Sequence, residues 1–195
     1  VPVINPVPLL RWNADKRYLL ALEAAGVAVV PTRFVEAGQI MPALEACGWR
    51  DLVVKPTVSG GAWDTLRLKP AEFSARAAEL ALLARKHTLM LQPYLPEVET
   101  DGEWSLVYFG SEFSHAVRKR PKAGDFRVQE KHGGGHERAE PGAELVAQGR
   151  AVLAALPGLG FDTCLYARVD GVVSGGRLLL MELEVLEPQL FLAGA

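Results

Sequence analysis

The stretch ARVDGVVSGGRLLLMELEVLEP, residues 167–188, decides both the fold and the chemistry predicted for this chain. Two arms rich in Val, Leu and Met flank a Gly-containing turn, and this pattern predicts a β-hairpin. Because side chains alternate between faces along a strand, Arg168 and Asp170 share one face of the first arm. By the same rule, Glu182 and Glu184 share one face of the second arm. The alternate positions of that arm are apolar and are predicted to be buried: Leu179, Met181, Leu183 and Val185.

The length of the turn decides whether the three carboxylates share one surface. A two-residue loop at 175–176 would place Asp170 opposite Met181, with the acids on opposite sides of the hairpin. A loop with an odd number of residues, 174–176, places Asp170 on the glutamate face, and we predict that loop. Three carboxylates on one surface repel each other unless a cation lies among them, and Mg²⁺ prefers oxygen ligands of this kind. From the hairpin alone, an ordinary half-exposed hairpin with an acidic face is an equally good interpretation.

The composition is that of an ordinary globular protein. The chain has 195 residues, 49% of them hydrophobic and 23% charged, which allows one domain or two small lobes. A net charge of -2 gives no reason to expect nucleic acid or a membrane surface as a partner. Cys47 and Cys164 form no CxxC motif, so neither a zinc site nor a disulfide framework is indicated, and we expect a cytoplasmic protein.

The start of the chain predicts no targeting segment. VPVINPVPLL lacks the basic start and long apolar core of a signal peptide, and no apolar run reaches the length of a membrane span. Residues 1–12 are predicted to be an extended lead-in, and the abrupt beginning leads us to expect a truncated front. Two lobes are predicted to follow, at 13–95 and 96–195, with the Pro-rich segment 93–96 as a hinge between them.

Hairpins alternate with helices along the chain. Asn13 is predicted to cap a helix that ends at Gly26, which places Lys16 in the first turn, where the helix dipole disfavours a cation. Lys16 is therefore either a functional residue or a solvated surface lysine. The remaining predicted strands are 27–31, 52–56, 88–92, 103–109 and 112–120, and the remaining predicted helices are 42–46, 70–85 and 143–156.

Two further segments have the composition of anion-binding loops. Lys55 ends an apolar strand and is followed by the Gly-Gly loop 57–62, whose backbone N–H groups could approach phosphate oxygens. The basic segment 121–142 lacks a hydrophobic period and carries three consecutive glycines, which suits either an anion-covering flap or a solvated mobile loop. Together with the hinge, Glu103 and the hairpin, these segments form the set of parts that a nucleoside triphosphate with its Mg²⁺ requires.

Taken together, residues 13–188 resemble the ATP-grasp superfamily, in particular its glutathione synthetase and D-alanine–D-alanine ligase branch. The most specific element is an R-x-D motif at 168–170, followed one hairpin later by E-x-E at 182–184 and by Pro188. The sequence departs from the usual pattern in two places. Glu184 stands where Asn is more common, and Gln92 stands where the ligases often have an acid.

The resemblance implies an α+β fold in which two lobes with antiparallel sheets grip the nucleotide. It implies a Mg-ATP-dependent ligase that joins a small-molecule carboxylate to an amine through an acyl phosphate. A homodimer is a possible assembly of such a ligase. An ATP-dependent cyclase, or a nucleotide-binding fragment without turnover, is the alternative. The implied metal ligands, for two Mg²⁺ ions, are Asp170, Glu182 and Glu184. The implied catalytic residues are Arg168, Arg127 and Lys119. The implied ATP-binding residues are Lys16, Lys55, Ser59, Gly60, Gln92, Tyr94, Leu95 and Glu103.

Overall fold

The computed structural model describes residues 3–36, 38–122, 124–128 and 132–192. The chain divides into two compact units: Val30–Leu95 forms one, and Val1–Val29 with Pro96–Ala195 forms the other. The two units meet in the sequence between residues 95 and 96 and between residues 29 and 30. Residues 13–29, however, group with the C-terminal unit and not with the lobe predicted for 13–95.

The elements follow one another in a mixed order of helices and strands. The first part of the chain contains α1 (Val7–Asn13), α2 (Tyr18–Ala24), β1 (Arg33–Val35), α3 (Ile40–Cys47), β2 (Leu52–Pro56), β3 (Leu66–Leu68), α4 (Ala77–Lys86) and β4 (Leu89–Pro93). The second part contains α5 (Glu97–Thr100), β5 (Glu103–Phe109), β6 (Glu112–Arg120), β7 (Gly135–Ala139), α6 (Ala143–Ala154), β8 (Tyr166–Ser174) and β9 (Arg177–Glu184).

The unit Val30–Leu95 is an antiparallel sheet of order β1-β4-β2-β3 packed against two helices. The alternation of Leu52 and Val54 along β2 buries one face of that strand, as its sequence pattern predicts. Leu44 of α3 and Leu80 of α4 join the same buried cluster. This core fixes β2 and β4, the strands that carry Lys55 and Gln92.

The C-terminal unit is built on an antiparallel sheet of order β7-β6-β5-β8-β9. Helix α6 covers one of its faces, where the Tyr108 hydroxyl donates to the Val146 carbonyl (2.8 Å). The helix approaches so closely that a Cβ on Gly149 would lie 2.3 Å from the Tyr108 oxygen. A glycine at this helical position is therefore explained by packing. The other face of the sheet is left for the polar residues of β5, β8 and β9.

Residues 13–28 form hydrogen bonds to β9, the outer strand of this sheet. Leu180 of β9 donates its N–H to the Ala28 carbonyl (2.8 Å), and the Asn13 and Tyr18 side chains donate to the Leu183 carbonyl (2.7 and 2.9 Å). An unpaired strand edge is unfavourable, and these bonds satisfy the backbone groups of β9. The contacts explain why residues 13–29 group with the C-terminal unit.

The structure corrects the predictions for the start of the chain. The segment predicted as an extended lead-in contains helix α1 among its described residues. Pro8 is compatible with this helix because it occupies the first turn, where a missing N–H costs nothing. Asn13 ends α1 instead of capping the next helix, and Lys16 lies in the turn before α2. The predicted strand 27–31 is reduced to a single parallel bridge between Val29 and Leu180.

Two other predicted segments also differ. The helix predicted for 70–85 is a short 3₁₀ turn, Pro70–Glu72, followed by α4 from Ala77. The basic segment 121–142 contains β7, which pairs with β6; its residues are mostly exposed, so no hydrophobic alternation marks it. Residues 123 and 129–131 of this segment lie outside the described residues. Strand β3 was not predicted, while the strands 52–56, 103–109 and 112–120 are confirmed.

The hairpin exists as predicted, but the odd-length loop is wrong. Ser174 pairs with Arg177, so the loop is Gly175-Gly176, with φ of 58° and 79°. Both values lie in the left-handed region that a two-residue hairpin loop requires. Asp170 nevertheless lies opposite Glu182, because Met181 forms a β-bulge that shifts the register after Asp170.

The bulge also changes which side chains are buried. Leu178 and Leu180 are buried on the turn side of Met181, whereas Leu179 and Met181, both predicted to be buried, are only partly so. Leu183 and Val185 beyond the bulge are buried as predicted. A bulge inverts the alternation of a strand, so the two halves of β9 bury opposite sets of positions.

Candidate active site

Strand register in the C-terminal sheet gathers the predicted metal-binding side chains, and two of the three predicted catalytic ones, on one face. Asp170 of β8 lies opposite Ser105 of β5 on one side and Glu182 of β9 on the other. Arg168 lies opposite Glu184. The next pair of the sheet adds Glu103 and Lys119, which face each other across β5 and β6. We call these seven residues the acidic cluster, listed here together: Glu103, Ser105, Lys119, Arg168, Asp170, Glu182 and Glu184.

Asp170 is the centre of this cluster and is only 2% exposed. Its carboxylate accepts two bonds from the Arg168 guanidinium (2.8 and 2.7 Å), one from the Lys119 ammonium (3.0 Å) and one from the Ser105 hydroxyl (2.6 Å). Burial by itself would raise the pKa of this carboxyl, but the charges of Arg168 and Lys119 outweigh it and hold the pKa well below its usual range. Asp170 is therefore a permanent anion.

Lys119 bridges two buried carboxylates, since its ammonium also contacts Glu103. Burial disfavours the charged lysine, yet Asp170 and Glu103 outweigh it and raise the Lys119 pKa. The pKa of Glu103 is raised as well, mainly by burial and in spite of Lys119. Lys119 is the member of this pair that keeps its proton, because the charges of Asp170 and Glu103 favour the ammonium. Removal of this lysine would leave two desolvated acids without a counter-ion.

The Arg168 guanidinium contacts three protein groups. Besides Asp170, its guanidinium contacts the Glu184 carboxylate (2.6 Å) and donates to the Gln189 carbonyl (3.0 Å). Burial opposes its charge, but the charge of Asp170 and a hydrogen bond to it raise the Arg168 pKa further. Arg168 is therefore a fixed cation whose orientation is set by its neighbours.

The segment after β9 folds back over Arg168. His115 of β6 is bonded through Nε2 to the Leu190 carbonyl (2.7 Å). The Phe191 ring lies 5.6 Å from the Arg168 guanidinium and 4.8 Å from the His136 ring, between centroids. Phe191 has φ of 52°, an unfavourable value for a residue with a large side chain. The backbone at Phe191 is therefore locally strained in the conformation that places this ring beside Arg168.

Glu182 and Glu184 complete the acidic cluster at its partly exposed edge. Lys16, itself buried, forms an ion pair with Glu182 (3.0 Å). Burial, together with the charges of Asp170 and Glu182, raises the pKa of Glu184 to about 8. Burial is the largest cause of this shift, and repulsion from the two neighbouring carboxylates adds to it in spite of the contact with Arg168. This local excess of negative charge fits an added cation.

Within the described ranges, no group of three or more His, Cys, Asp and Glu side chains is arranged to hold a metal ion. Each carboxylate of the cluster instead contacts a protein cation: Lys16 for Glu182, Lys119 for Asp170, and Arg168 for Glu184. The chemistry of the donor set nevertheless fits Mg²⁺, because the cluster offers hard oxygen ligands and a cation would relieve the repulsion of Glu184 by Asp170 and Glu182.

Arg127 contacts residues of its own segment and none of the residues of the acidic cluster described above. Its guanidinium pairs with Asp125 (2.8 Å) and lies 5.9 Å from the Phe126 ring centroid. The hydrogen bonds from Arg127, together with those from the Phe126 and Arg127 backbone, hold the pKa of Asp125 well below its usual range. These contacts form a local turn that orders the segment 124–128.

The predicted phosphate-binding residues of the other unit lie where β2 ends. Lys55 is partly buried on β2, and the Ser59 hydroxyl donates to the Pro56 carbonyl (3.1 Å). A Cβ on Gly60 would meet no atom within 4 Å, so the backbone of the loop is accessible there. Ala62 and Asp64 follow with φ of 57° and 52°, which marks this loop as conformationally unusual.

The predicted adenine-binding residues lie at the end of β4 and directly after it, in the same unit. The buried Gln92 side chain donates to the Thr32 hydroxyl (2.9 Å), and the Tyr94 N–H donates to the Asp51 carbonyl (2.9 Å). The Arg67 guanidinium lies 3.4 Å from the centroid of the Tyr94 ring and is held there by Asp51. Leu95, partly buried, ends the unit. These contacts fix the backbone of the predicted hinge.

Three residues that belong to the acidic cluster or contact Arg168 were not predicted from the sequence. Ser105 stands two residues after Glu103 on the same strand, so alternation along β5 could have placed it on this face. Gln189 and Phe191 lie in an irregular segment after β9, and no periodicity marks them. Their placement depends on a carbonyl and a left-handed residue, neither of which has a signature in this sequence.

Comparison with known proteins decides the family. The model of the prokaryotic glutathione synthetase ATP-grasp domain matches residues 28–187.

The chain belongs to the ATP-grasp family.

A curated relative, the cycloserine biosynthesis protein DcsG of Streptomyces lavendulae, is 34% identical over 209 residues, covering 96% of this chain and 67% of that protein. The crystal structure of D-cycloserine synthetase DcsG matches with a TM-score of 0.83 at 31% identity, over 96% of this chain and 67% of the other. This chain therefore spans about two thirds of the length of that relative.

More distant ATP-grasp structures share the fold. D-alanine–D-alanine ligase from Bacillus anthracis, complexed with ATP, matches with a TM-score of 0.65 at 20% identity, over 89% of this chain and 55% of that one. The ATP-grasp ligase PsnB, complexed with a precursor variant, Mg and ADP, matches with a TM-score of 0.65 at 20% identity, over 93% and 53%.

These findings confirm the predicted family, the α+β fold class and the enzyme class, an ATP-dependent ligase. No helix among the described residues is long and apolar enough to cross a bilayer.

Proposed function

We propose that this ATP-grasp protein forms a C–N bond between a small-molecule carboxylate and an amine, with MgATP as the energy source and an acyl phosphate as the intermediate. The observation that carries the proposal is the register that sets Asp170 opposite Glu182 and Arg168 opposite Glu184 on one face. Carboxylates that alternate with a fixed guanidinium suit a reaction in which phosphoryl and carboxylate oxygens must be held side by side.

The nucleotide is assigned to residues from both parts of the chain. Lys55, Ser59 and Gly60 bind phosphate oxygens through an ammonium, a hydroxyl and an accessible backbone. Gln92, Tyr94 and Leu95 are assigned to the purine, and the contacts of the Gln92 amide with Thr32 and of the Tyr94 ring with Arg67 hold this segment in place. Lys16 and Glu103 are also assigned to ATP: Lys16 to its phosphates and Glu103 to its ribose.

Asp170, Glu182 and Glu184 are the residues that would hold Mg²⁺, and the ion would neutralise charge on the phosphate oxygens. Protein cations contact the same carboxylates in this structure, so a bound metal ion would compete with Lys16 for Glu182 and with Lys119 for Asp170. A lysine displaced in this way would offer its positive charge to the phosphates, and Lys119 is assigned to the transferred phosphoryl group on this basis. Arg127 is assigned to the same group from the family resemblance, since its guanidinium pairs with Asp125 in this structure.

The reaction consists of two displacements. A carboxylate oxygen of the first substrate attacks the γ-phosphorus of ATP, the bond to the β–γ bridging oxygen breaks, and ADP leaves. The amine nitrogen then attacks the acyl carbon, phosphate leaves, and the nitrogen loses its proton to solvent. Arg168, held by Asp170, Glu184 and the Gln189 carbonyl, stabilises the tetrahedral oxyanion of the second step.

The similarity to DcsG favours one alternative in particular. That relative is a synthetase of cycloserine, a ring compound. In the corresponding reaction of this chain, the nucleophile and the activated carboxyl would belong to one molecule, and the acyl phosphate would close a ring. Every residue assigned above would keep its role, because only the origin of the nucleophile changes.

The experiment measures ADP and product masses with MgATP and a panel of amino acids and hydroxylamine-type nucleophiles, offered singly and in pairs. Ligation predicts ADP release only with a pair and a product whose mass is the sum of both substrates minus water. Cyclisation predicts ADP release with one substrate and a product one water lighter. ATP binding without ADP release under all conditions would identify a nucleotide-binding fragment and contradict the proposal. A cytoplasmic location and a homodimer stay predictions from the sequence.

A further inference from the structure

The face of the C-terminal sheet that lies away from the acidic cluster carries a second polar group. Trp104 and Arg118 are directly opposite each other on β5 and β6. Their neighbours along the sheet, Glu103 and Lys119, point to the acidic cluster, so Trp104 and Arg118 lie on the other face, the one that α6 covers. No residue role proposed above uses this pair.

Arg118 is held by its packing, and no acidic side chain among the described residues forms an ion pair with it. Its guanidinium lies 4.3 Å from the centroid of the Trp104 ring. Gly102 packs on its stem so closely that a Cβ there would be 2.8 Å from Arg118 Cγ. The Arg118 Nε atom is buried and has no hydrogen-bond partner among the described residues. A buried N–H group without an acceptor is costly, and a stacked, oriented guanidinium is well prepared to bind a carboxylate.

A cavity of about 420 Å³ opens beside this arginine, between the sheet and the start of α6. Its size falls within the range of small-molecule sites. Leu145 and Val173 supply apolar lining. Gln148 forms a fixed wall, because its side chain accepts from the Leu178 N–H (2.5 Å) and donates to the Gly176 carbonyl (3.2 Å). The cavity is therefore formed by ordered groups.

The charges around the cavity restrict the ligand. Arg118 attracts an anion, but Asp101 and Glu144 also line the cavity and repel one. A phosphate or another multiply charged anion is disfavoured by these two acids. A ligand that carries a carboxylate together with its own ammonium matches both signs of charge, and the apolar lining suits a small side chain.

We propose that this cavity binds a small α-amino acid, with its carboxylate on Arg118, its ammonium at Asp101 and Glu144, and its side chain against Leu145 and Val173. The site is separate from the acidic cluster and does not depend on the reaction proposed above. It gives the protein an amino-acid site outside the acidic cluster.

The test titrates the full chain, without nucleotide, with glycine, L- and D-alanine and L- and D-serine. The readout is the indole N–H resonance of Trp104, assigned among the four tryptophans by its loss in Trp104→Phe. We expect at least one amino acid to shift this resonance saturably. Acetate and ethylammonium, which carry only one of the two charges, should bind at least about tenfold more weakly.

Matched variants separate loss of the site from loss of the fold. Arg118→Gln should weaken binding about tenfold or more, whereas Arg150→Gln, at an exposed position of α6, should leave it unchanged. Glu144→Gln removes an exposed charge without disturbing the core, and it should weaken amino-acid binding while it strengthens acetate binding. The proposal is wrong if none of the five amino acids shifts Trp104, if acetate binds as well as they do, or if Glu144→Gln has no effect.

Discussion

Asp170 lies directly opposite Glu182, although the two-residue turn between their strands would by itself pair Asp170 with Met181. The bulge at Met181 produces the observed pairing. It absorbs one residue of β9 and so returns both glutamates to the face of Asp170 and Arg168. The geometry of the candidate active site therefore depends on a backbone irregularity at Met181, well away from the turn.

Gly171 is the residue that permits this bulge. A Cβ there would lie 2.4 Å from the Leu179 carbonyl oxygen and 2.9 Å from a Leu178 methyl carbon. Gly171→Ala should therefore destabilise the protein by about 1–3 kcal/mol, measured by urea unfolding. Gly158→Ala is the control, because a Cβ at that position meets no atom within 4 Å. Equal unfolding midpoints for the two variants would show that close packing at Gly171 does not hold the register.

Lys119 is predicted to be essential for the stability of the nucleotide-free protein. Lys119→Met leaves Glu103 and Asp170 buried without their shared cation and should lower the unfolding free energy by about 3–5 kcal/mol. Adding Glu103→Gln should recover part of this loss, because one of the two buried charges is then removed. Urea unfolding of both variants checks this, and a double variant no more stable than Lys119→Met would argue against the bridge.

Glu184 makes stability depend on pH. Its folded-state pKa is raised from 4.5 to about 8, so between these values the folded protein holds a proton that the unfolded chain has released. Stability from this group is complete below pH 4.5 and falls as the pH rises to about 8. Glu184→Gln removes the effect, so its melting temperature relative to wild type should increase through that window in metal-free buffer. A constant difference across the window, as expected for the exposed Glu187→Gln, would contradict this assignment.

Arg168 should be irreplaceable by lysine. A lysine keeps the charge but cannot make the two parallel bonds to Asp170 and also reach Glu184 and the Gln189 carbonyl. Arg168→Lys should lower kcat for product formation about 100-fold, with a smaller change in KM for ATP. Steady-state kinetics with the substrates identified by mass provide the measurement. Arg150→Lys is the control, and an Arg168→Lys variant with normal kcat would remove Arg168 from the second displacement.

Much of the fold follows from local sequence. The strands β2, β5 and β6 and the hairpin β8–β9 carry clear apolar runs or alternation, and their ends are marked by Gly or Pro. The exposed edge strand β7 and helix α1, which begins with prolines, lack those signals. The bulge at Met181 also has none, so the correct face for Asp170 was predicted from the wrong turn. Apolar residues occupy both faces of β9 near the bulge, and composition cannot distinguish the two registers.

The candidate active site was predictable as a set of residues but not as a set of contacts. Spacing identifies Arg168, Asp170, Glu182 and Glu184, because an R-x-D and an E-x-E on paired strands fall on one face. Spacing does not reveal that Lys119 lies between Glu103 and Asp170, since that contact depends on the pairing of β5 with both β6 and β8. Long-range register is determined by the packed sheet as a whole.

The central claim is that MgATP binds through the carboxylates of the acidic cluster, and calorimetric titration of ATP tests it most directly. Wild type should bind ATP with Mg²⁺ at least about tenfold more tightly than with EDTA. Asp170→Asn and Glu182→Gln should abolish most of that difference while leaving metal-free binding similar. A magnesium effect of unchanged size in both variants, or no ATP binding by the wild-type chain, would contradict the account.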